Sequence, residues 1–195
     1  MCKIGANKPL ILLLLLIYMP VKAEVILQEQ LFHYAIAPTS INDIKLELRK
    51  HTPVSKENKL YHGGTQWKLK PLYGWRIEGN LCWIRQVSVY LQGSYTLPEM
   101  SNRGTASANL VEVFDDYYTS LLHHEKGHQA LWIEAGEEIE RILKSMPPHF
   151  QCEQLKNQAN NRVNKIVEKY QQLNRKYDTN TGFGKTQGVY IAPRK

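Results

Sequence analysis

The sequence predicts an α+β domain in which a small antiparallel sheet from the N-terminal half packs against two long C-terminal helices. In the first half of the chain, hydrophobic residues alternate with polar ones, as they do in half-buried strands. From residue 107 onward they recur every three or four positions, as on one face of a helix. The 195 residues are enough for one well-buried domain, which we place at residues 24–195.

Residues 1–23 have the composition of a secretory signal peptide. Lys3 and Lys8 precede an apolar run at residues 10–19, and a small residue, Ala23, closes the segment. The run is short for a membrane span and a polar chain follows it. We therefore expect a periplasmic or secreted protein with no stable membrane insertion after signal removal; an uncleaved anchor is the alternative.

The charge of the chain argues against nucleic-acid binding, and its cysteine content indicates a disulfide. The formal charge of +7 includes three lysines of the signal segment, and the remaining cations are scattered rather than clustered. Nucleic-acid binding is therefore not expected. Cys2 leaves with the signal, whereas Cys82 and Cys152 form an even pair, which in an exported chain indicates a disulfide. Metal thiolates would need two more soft ligands nearby, and the sequence offers none.

The first half of the mature chain contains the strands. The predicted strands comprise residues 30–36, 66–70, 73–79 and 81–97. Ser40 is placed as the N-cap of a short helix, and Pro71 separates the second and third strands. We expect Trp67, Trp75 and Trp83 to pack on the sheet.

Two long helices make up most of the second half. The first extends from about residue 107 to 145 and ends before Pro147, which cannot continue a helix. The second extends from about residue 150 to 177 and carries one apolar stripe, which we assign to the core. The tail, residues 178–195, is glycine-rich and polar, and is predicted to be a loop.

The stretch "LLHHEKGHQALW" contains the H-E-x-x-H pattern on the first long helix. His124 and His128 lie about 40° apart on one helical face, one turn above the other. Two imidazoles so placed can bind one Zn²⁺ ion per chain. In zinc hydrolases with this pattern the glutamate, here Glu125, is the general base that takes a proton from the zinc-bound water.

The alternative is that the histidines lie on a solvent-facing turn of an amphipathic helix. Their face continues into an apolar stripe, which predicts burial, and buried imidazoles need polar partners. That stripe consists of Leu131, Ala135, Ile139 and Ile142. A shared metal ion would supply the partner. His123 points away from this face and is expected at the surface or as an outer contact of the site.

A catalytic zinc normally has three protein ligands, and the third is not evident here. The metzincin continuation needs glycine at position 131 and histidine at position 134, and the sequence has neither. Glu153 and Glu168 on the second helix remain as candidates. We prefer Asp178, just past that helix, because an antiparallel second helix would bring it near His124. Otherwise Asp178 is a residue that caps the turn.

Taken together, these stretches resemble the bacterial DUF922 family, described as predicted secreted zinc-dependent proteases. The resemblance spans roughly residues 31–193 and includes "HYAI", "GTQWKLK", "NLCWIRQVSVYLQGSYTLPEM", "HHEKGH" and "YDTNTGFGKTQGVYIAP". It implies that His124 and His128 are metal ligands and that Glu125 is the general base. It also supports the pairing of Cys82 with Cys152.

The chain departs from the family pattern at one position of the tail. The family's tail reads Tyr-Asp-x-x-Thr-x-His-Gly; this sequence matches at Tyr177, Asp178, Thr181 and Gly184 but has Phe183 where the histidine stands. If that histidine is the family's third ligand, this chain has lost it. If Asp178 is the ligand, the substitution matters less.

The leading hypothesis is a zincin-like zinc metallopeptidase that acts on a protein or peptide substrate, with Tyr177 as a candidate to stabilise the oxyanion. An alternative from another class is a non-catalytic envelope binding protein that retains the fold, which Phe183 favours. Hydrolysis of a non-peptide bond by the same metal site is a third hypothesis. The sequence does not specify the substrate, its cleavage preference or the oligomeric state.

Overall fold

The computed structural model describes residues 25–192, and the predicted signal peptide lies outside them. The architecture is α+β, with a small mixed sheet on which the helices pack. The strands are β1 (Val25–Ile36), β2 (Ser55–Lys56), β3 (Lys59–Leu60), β4 (Gly64–Glu78) and β5 (Leu81–Met100). The helices are α1 (Ile41–His51), α2 (Ala108–Lys144) and α3 (Cys152–Thr181), followed by a 3-10 turn at Lys185–Gln187.

The main sheet has three strands in the order β1-β5-β4. β4 and β5 form an antiparallel hairpin whose turn contains Gly79 at φ 59°. β1, however, is parallel to β5, so the prediction of an antiparallel sheet is wrong for this edge. Alternating hydrophobicity determines which face of a strand is buried but not its direction. The long connection over residues 37–80 lets the chain return in the same direction.

The two strands predicted around Pro71 are one strand. β4 continues through Pro71 because it lies at the sheet edge, where a missing backbone N–H is tolerated. The pairing with β5 shifts register between Leu72 and Gly74, which marks a bulge at this point. The β2–β3 hairpin falls within the segment that the sequence predicts as a loop, and β1 begins earlier than predicted, at Val25.

The three tryptophans of the main sheet differ in their surroundings. Trp67 lies across Gly93, where a Cβ atom would come within 2.0 Å of its ring. Trp83 lies beneath the guanidinium of Arg85. Trp75 is 40% exposed and packs edge-to-face on Tyr73 of the same strand.

The long helix α2 matches its prediction. Ser107 caps its N-terminus by accepting a hydrogen bond from the backbone N–H of Leu110, and Ser40 caps α1 in the same way through Asp43. One face of α2 packs against the central strand. This contact buries Val89 of β5 with Ala135, Ile139 and Leu143 of α2, and Leu155 and Ala159 of α3. The core therefore fixes how α2 lies on the sheet.

The N-terminal end of α3 is bonded to the sheet. A disulfide joins Cys82 of β5 to Cys152, the first residue of α3, as the sequence predicts. Backbone hydrogen bonds between Cys82 and His149 reinforce this connection. Within residues 25–192, no helix has both the length and the apolar composition needed to cross a membrane.

The C-terminal end of α3 lies one turn further along the chain than predicted. Gly182, in the left-handed conformation at φ 57°, ends the helix. The backbone N–H of Gly182 donates to Thr179, and that of Phe183 donates to Asp178, as in a Schellman motif. Asp178 is therefore in the last helical turn and not in a loop. Asp, Thr and Asn are weak helix formers, so the stretch "DTNT" does not indicate that the helix continues to residue 181.

Candidate metal centre

Three side chains from two helices converge at one point. His124 and His128 of α2 both turn their Nε2 atoms toward Asp178 of α3. The Nε2 to Oδ1 distances are 3.4 Å for His124 and 3.0 Å for His128. His124 is buried, and the other two are partly buried. The antiparallel packing of α3 on α2 brings the preferred third ligand to the histidine pair.

The opposite nitrogen of each imidazole has a polar partner of its own. Nδ1 of His124 lies 2.8 Å from Oε1 of Gln187, and Nδ1 of His128 lies 2.8 Å from Oδ1 of Asn174. The Gln187 amide is oriented by donating to Oη of Tyr177, and the Asn174 amide donates to the carbonyl of Tyr170. Because an amide oxygen only accepts, each Nδ1 carries the proton and donates it.

This tautomer leaves both Nε2 atoms as acceptors facing a carboxylate oxygen. Three acceptors repel one another unless a cation, either a metal ion or added protons, lies among them. Two ligands each about 2.1 Å from an ion in tetrahedral geometry lie roughly 3.4 Å apart. The distances from Asp178 to the histidines, 3.0 and 3.4 Å, fit that spacing. The residues present therefore fit a small divalent cation.

The pKa shifts of Asp178 and His128 agree with this description. Burial would raise the pKa of Asp178, but hydrogen bonds to His124 and His128 hold it well below its usual range. Burial would likewise lower the pKa of His128, but bonds to Asp178 and Asn174 raise it above its ordinary value. The carboxylate thus stays ionised, and without a metal His128 takes up a proton more readily than a free imidazole.

Glu125 points toward the edge strand of the sheet. Oγ1 of Thr65 on β4 donates to Oε2 of Glu125 at 2.6 Å. Its other carboxylate oxygen faces Gly63, where a Cβ atom would lie 3.1 Å away. Burial raises the pKa of Glu125, while the bond from Thr65 and the two histidines oppose that rise. Glu125 is thus a buried, oriented carboxylate beside the triad.

Tyr177 fixes the distance between the two helices at the site. Its ring stacks on His124 with 5.1 Å between centroids, and its hydroxyl donates to the His124 carbonyl at 3.2 Å. A Cβ atom at position 127 would lie 1.9 Å from that hydroxyl, so only Gly127 permits the approach. The geometry gives Tyr177 a packing role, and its predicted action on an oxyanion stays a prediction.

The other residues singled out from the sequence lie elsewhere. Among residues 25–192, the acidic, cysteine and histidine groups that cluster with metal-ligand spacing are His124, His128 and Asp178. His123, Glu153 and Glu168 are exposed on the outer faces of their helices, and Glu153 pairs with Lys156. Phe183 is half exposed and contacts Tyr61.

Three residues of the site were not predicted from the sequence. Asn174 and Gln187 orient the histidines, and Thr65 orients Glu125. Asn174 stands one helical turn before Asp178, a spacing that would have placed it on the same face. The "GTQW" stretch contains Thr65, but only the fold brings it to α2.

The model of the family described as "Bacterial protein of unknown function (DUF922)" matches residues 32–184. The chain belongs to this family. The matched DUF922 region contains the triad, Glu125, Thr65 and Asn174, whereas Gln187 lies beyond it. No curated protein and no solved structure matches the chain.

Proposed function

We propose that this DUF922 protein is an exported zinc metallopeptidase. The observation that carries the proposal is the convergence of two tautomer-fixed imidazoles and an ionised carboxylate beside a buried glutamate. Two histidines and one carboxylate are the ligand set of many catalytic zinc sites, which keep a further position open. The disulfide between Cys82 and Cys152 and the predicted signal peptide support an extracytoplasmic location.

In this scheme His124, His128 and Asp178 would hold Zn²⁺. The ion would act as a Lewis acid that polarises the scissile carbonyl and acidifies water. Glu125 then accepts the proton of the attacking water and passes it to the leaving amine. Burial raises its pKa above the ordinary carboxyl value, which makes the carboxylate a stronger base toward the attacking water. The bond from Thr65 keeps the carboxylate in one orientation.

Zinc is favoured over harder ions by the chemistry of the donors. Imidazole nitrogen suits zinc and other late transition metals, whereas magnesium and calcium prefer sets made of oxygen alone. Phe183 gives the non-catalytic alternative little support, because its ring contacts Tyr61 rather than leaving a gap in the triad. The triad is complete without a ligand from position 183.

The test combines metal analysis with an activity assay. The purified chain, loaded with one equivalent of Zn²⁺ and dialysed, is analysed for metal and assayed on fluorescently labelled casein. We expect one zinc per chain and measurable hydrolysis. Glu125→Gln should keep the zinc and lose roughly a hundredfold to ten-thousandfold in rate, since it removes the general base alone.

Glu137→Gln serves as the matched control, because Glu137 is exposed on the same helix. It should behave as the wild type. Wild-type protein without zinc after loading, or a Glu125→Gln variant with full activity, would contradict the proposal.

A further inference from the structure

Two aromatic rings from the chain segments that border the candidate metal site contact each other. Tyr61, before β4, and Phe183, after α3, lie with ring centroids 5.7 Å apart and planes tilted by 44°. We name this pair the aromatic rim. Tyr61 stands two residues before Gly63, which lies against Glu125, and Phe183 precedes Gly184, which lies against His124. The rim therefore joins the two chain segments that border the site.

The backbone of Phe183 is held in an unfavourable conformation. Its φ of 56° lies in the left-handed region, which a residue with a Cβ atom rarely adopts. The hydrogen bond from its N–H to the Asp178 carbonyl, at 2.7 Å, fixes it there. Its ring nevertheless remains 51% exposed. Such an outlier beside a site is a reason to look for a role in binding.

We propose that the aromatic rim is a subsite for an aromatic or large apolar side chain of the substrate, next to the metal. This inference rests on the proposed function and adds a substrate preference to it. Two tilted rings leave faces and edges to which a third ring can pack edge-to-face. The desolvation of that side chain and of the exposed part of Phe183 would favour binding.

The rim differs from an ordinary exposed hydrophobic residue. Single apolar side chains on a surface are normal and need no function. Phe150 is such a residue: it is 76% exposed and precedes α3 at its disulfide-bonded end. The rim instead pairs two rings that are distant in sequence, and each lies within two residues of a glycine that contacts the site. Phe150 therefore supplies a control.

The experiment compares two metal chelators that share one binding group. Acetohydroxamic acid and 3-phenylpropanohydroxamic acid are titrated into the zinc-loaded chain by isothermal calorimetry. The phenyl compound should bind about tenfold more tightly, because its ring gains contact with the rim. Phe183→Asn should abolish that advantage and leave the affinity for acetohydroxamic acid unchanged. Asparagine is chosen because it tolerates the left-handed backbone.

Tyr61→Ala is the second variant and should also reduce the advantage, which keeps the test valid if Phe183→Asn folds poorly. Phe150→Ala should retain the full advantage. Equal affinity of the wild type for the two compounds would contradict the proposed subsite but would not contradict the metal site. Wild-type preference retained in both rim variants would contradict the subsite as well. Failure of the wild type to bind either compound would overturn the metal site and the rim together.

Discussion

The two ends of α3 are held in place by different chemistry. At the N-terminal end a covalent bond, Cys82–Cys152, joins the helix to β5. At the C-terminal end Asp178 and Tyr177 contact His124 and His128 through hydrogen bonds and ring packing alone. The 26 helical steps from Cys152 to Asp178 place these ends roughly 39 Å apart. We expect the first end to respond to redox conditions, and the second to metal ions and pH.

This contrast separates stability from function along a single helix. The covalent end fixes the direction of α3, so the far end needs only weak contacts to bring Asp178 to the histidines. Those contacts involve groups that bind protons and metal ions. Changes at the two ends should therefore have separable effects, which the following predictions test.

The largest effect is expected from removal of the ligand at the C-terminal end. Asp178→Ala should weaken zinc binding at least about a thousandfold, because outer contacts of metal ligands alone are worth tenfold to a hundredfold. Zinc affinity is measured by competition with a chromogenic chelator. Glu168→Ala, which removes an exposed carboxylate of the same helix, should leave the affinity unchanged. Loss of zinc in the Glu168 variant instead would make that residue the ligand.

The covalent end should control stability and not metal affinity. The double variant Cys82→Ser, Cys152→Ser releases a constraint across 70 residues and should lower the free energy of unfolding by about 4 kcal/mol. Urea denaturation of the zinc-free protein measures this change. Below its unfolding transition, the variant should bind zinc within a factor of about two of the wild type. A large loss of zinc affinity in the folded variant would show that the two ends are coupled.

At the site itself, Thr65 should matter for rate but not for metal. Thr65→Val keeps the shape of the side chain and removes the hydroxyl that donates to Glu125. We expect kcat on casein to fall roughly tenfold to a hundredfold, as for loss of a hydrogen bond to a charged group. KM and zinc content should not change. Thr65→Ser should restore most of the rate, and an inactive serine variant would argue for a packing role.

A smaller effect is expected at Asn174, which touches a ligand and not the ion. Asn174→Ala removes the acceptor that holds the tautomer of His128. Zinc affinity should fall roughly tenfold to a hundredfold. Asn161→Ala, an exposed position on the same helix, is the control and should bind zinc like the wild type. If Asn174→Ala bound zinc as tightly as Asn161→Ala, Asn174 would have no role in holding His128.

The smallest expected effect is the change in zinc affinity for each unit of pH. Zinc competes with the proton on His128, whose pKa lies above its ordinary value of 6.5. Below that raised pKa, each unit of pH lost should weaken zinc at least about tenfold, and above it the affinity should level off. Asp178 stays ionised throughout, since its pKa lies well below its usual range. A plateau that already begins below pH 6.5 would contradict this prediction.

Local patterns predicted the three helices, most of the main-sheet strand positions and the central part of the candidate site. The 3.6-residue period places His124 and His128 together, and the same period gives α2 its bounds. An even cysteine pair predicted the disulfide. These features follow from neighbours in sequence or from chemistry that allows few partners. The preference for Asp178 needed one more step, the antiparallel return of α3, which the structure contains.

The features that the sequence did not predict depend on long-range geometry. The direction of β1 is decided by the path of the connection and not by the residues of the strand. Thr65 and Glu125 are 60 residues apart and meet only because β4 lies over α2. Gln187 reaches His124 through a tail whose glycines give little periodic signal. Local residue patterns do not predict such contacts between residues that are distant in sequence.

The parallel pairing of β1 with β5 has a consequence for biogenesis. The chain is synthesised from its N-terminus, so β1 is made long before the strand with which it pairs. Until β5 follows, the backbone groups of β1 have no sheet to join, and the segment is open to capture by chaperones or by neighbouring molecules. Assembly of this sheet must therefore wait for its central strand, whose arrival also delivers Cys82 for oxidation.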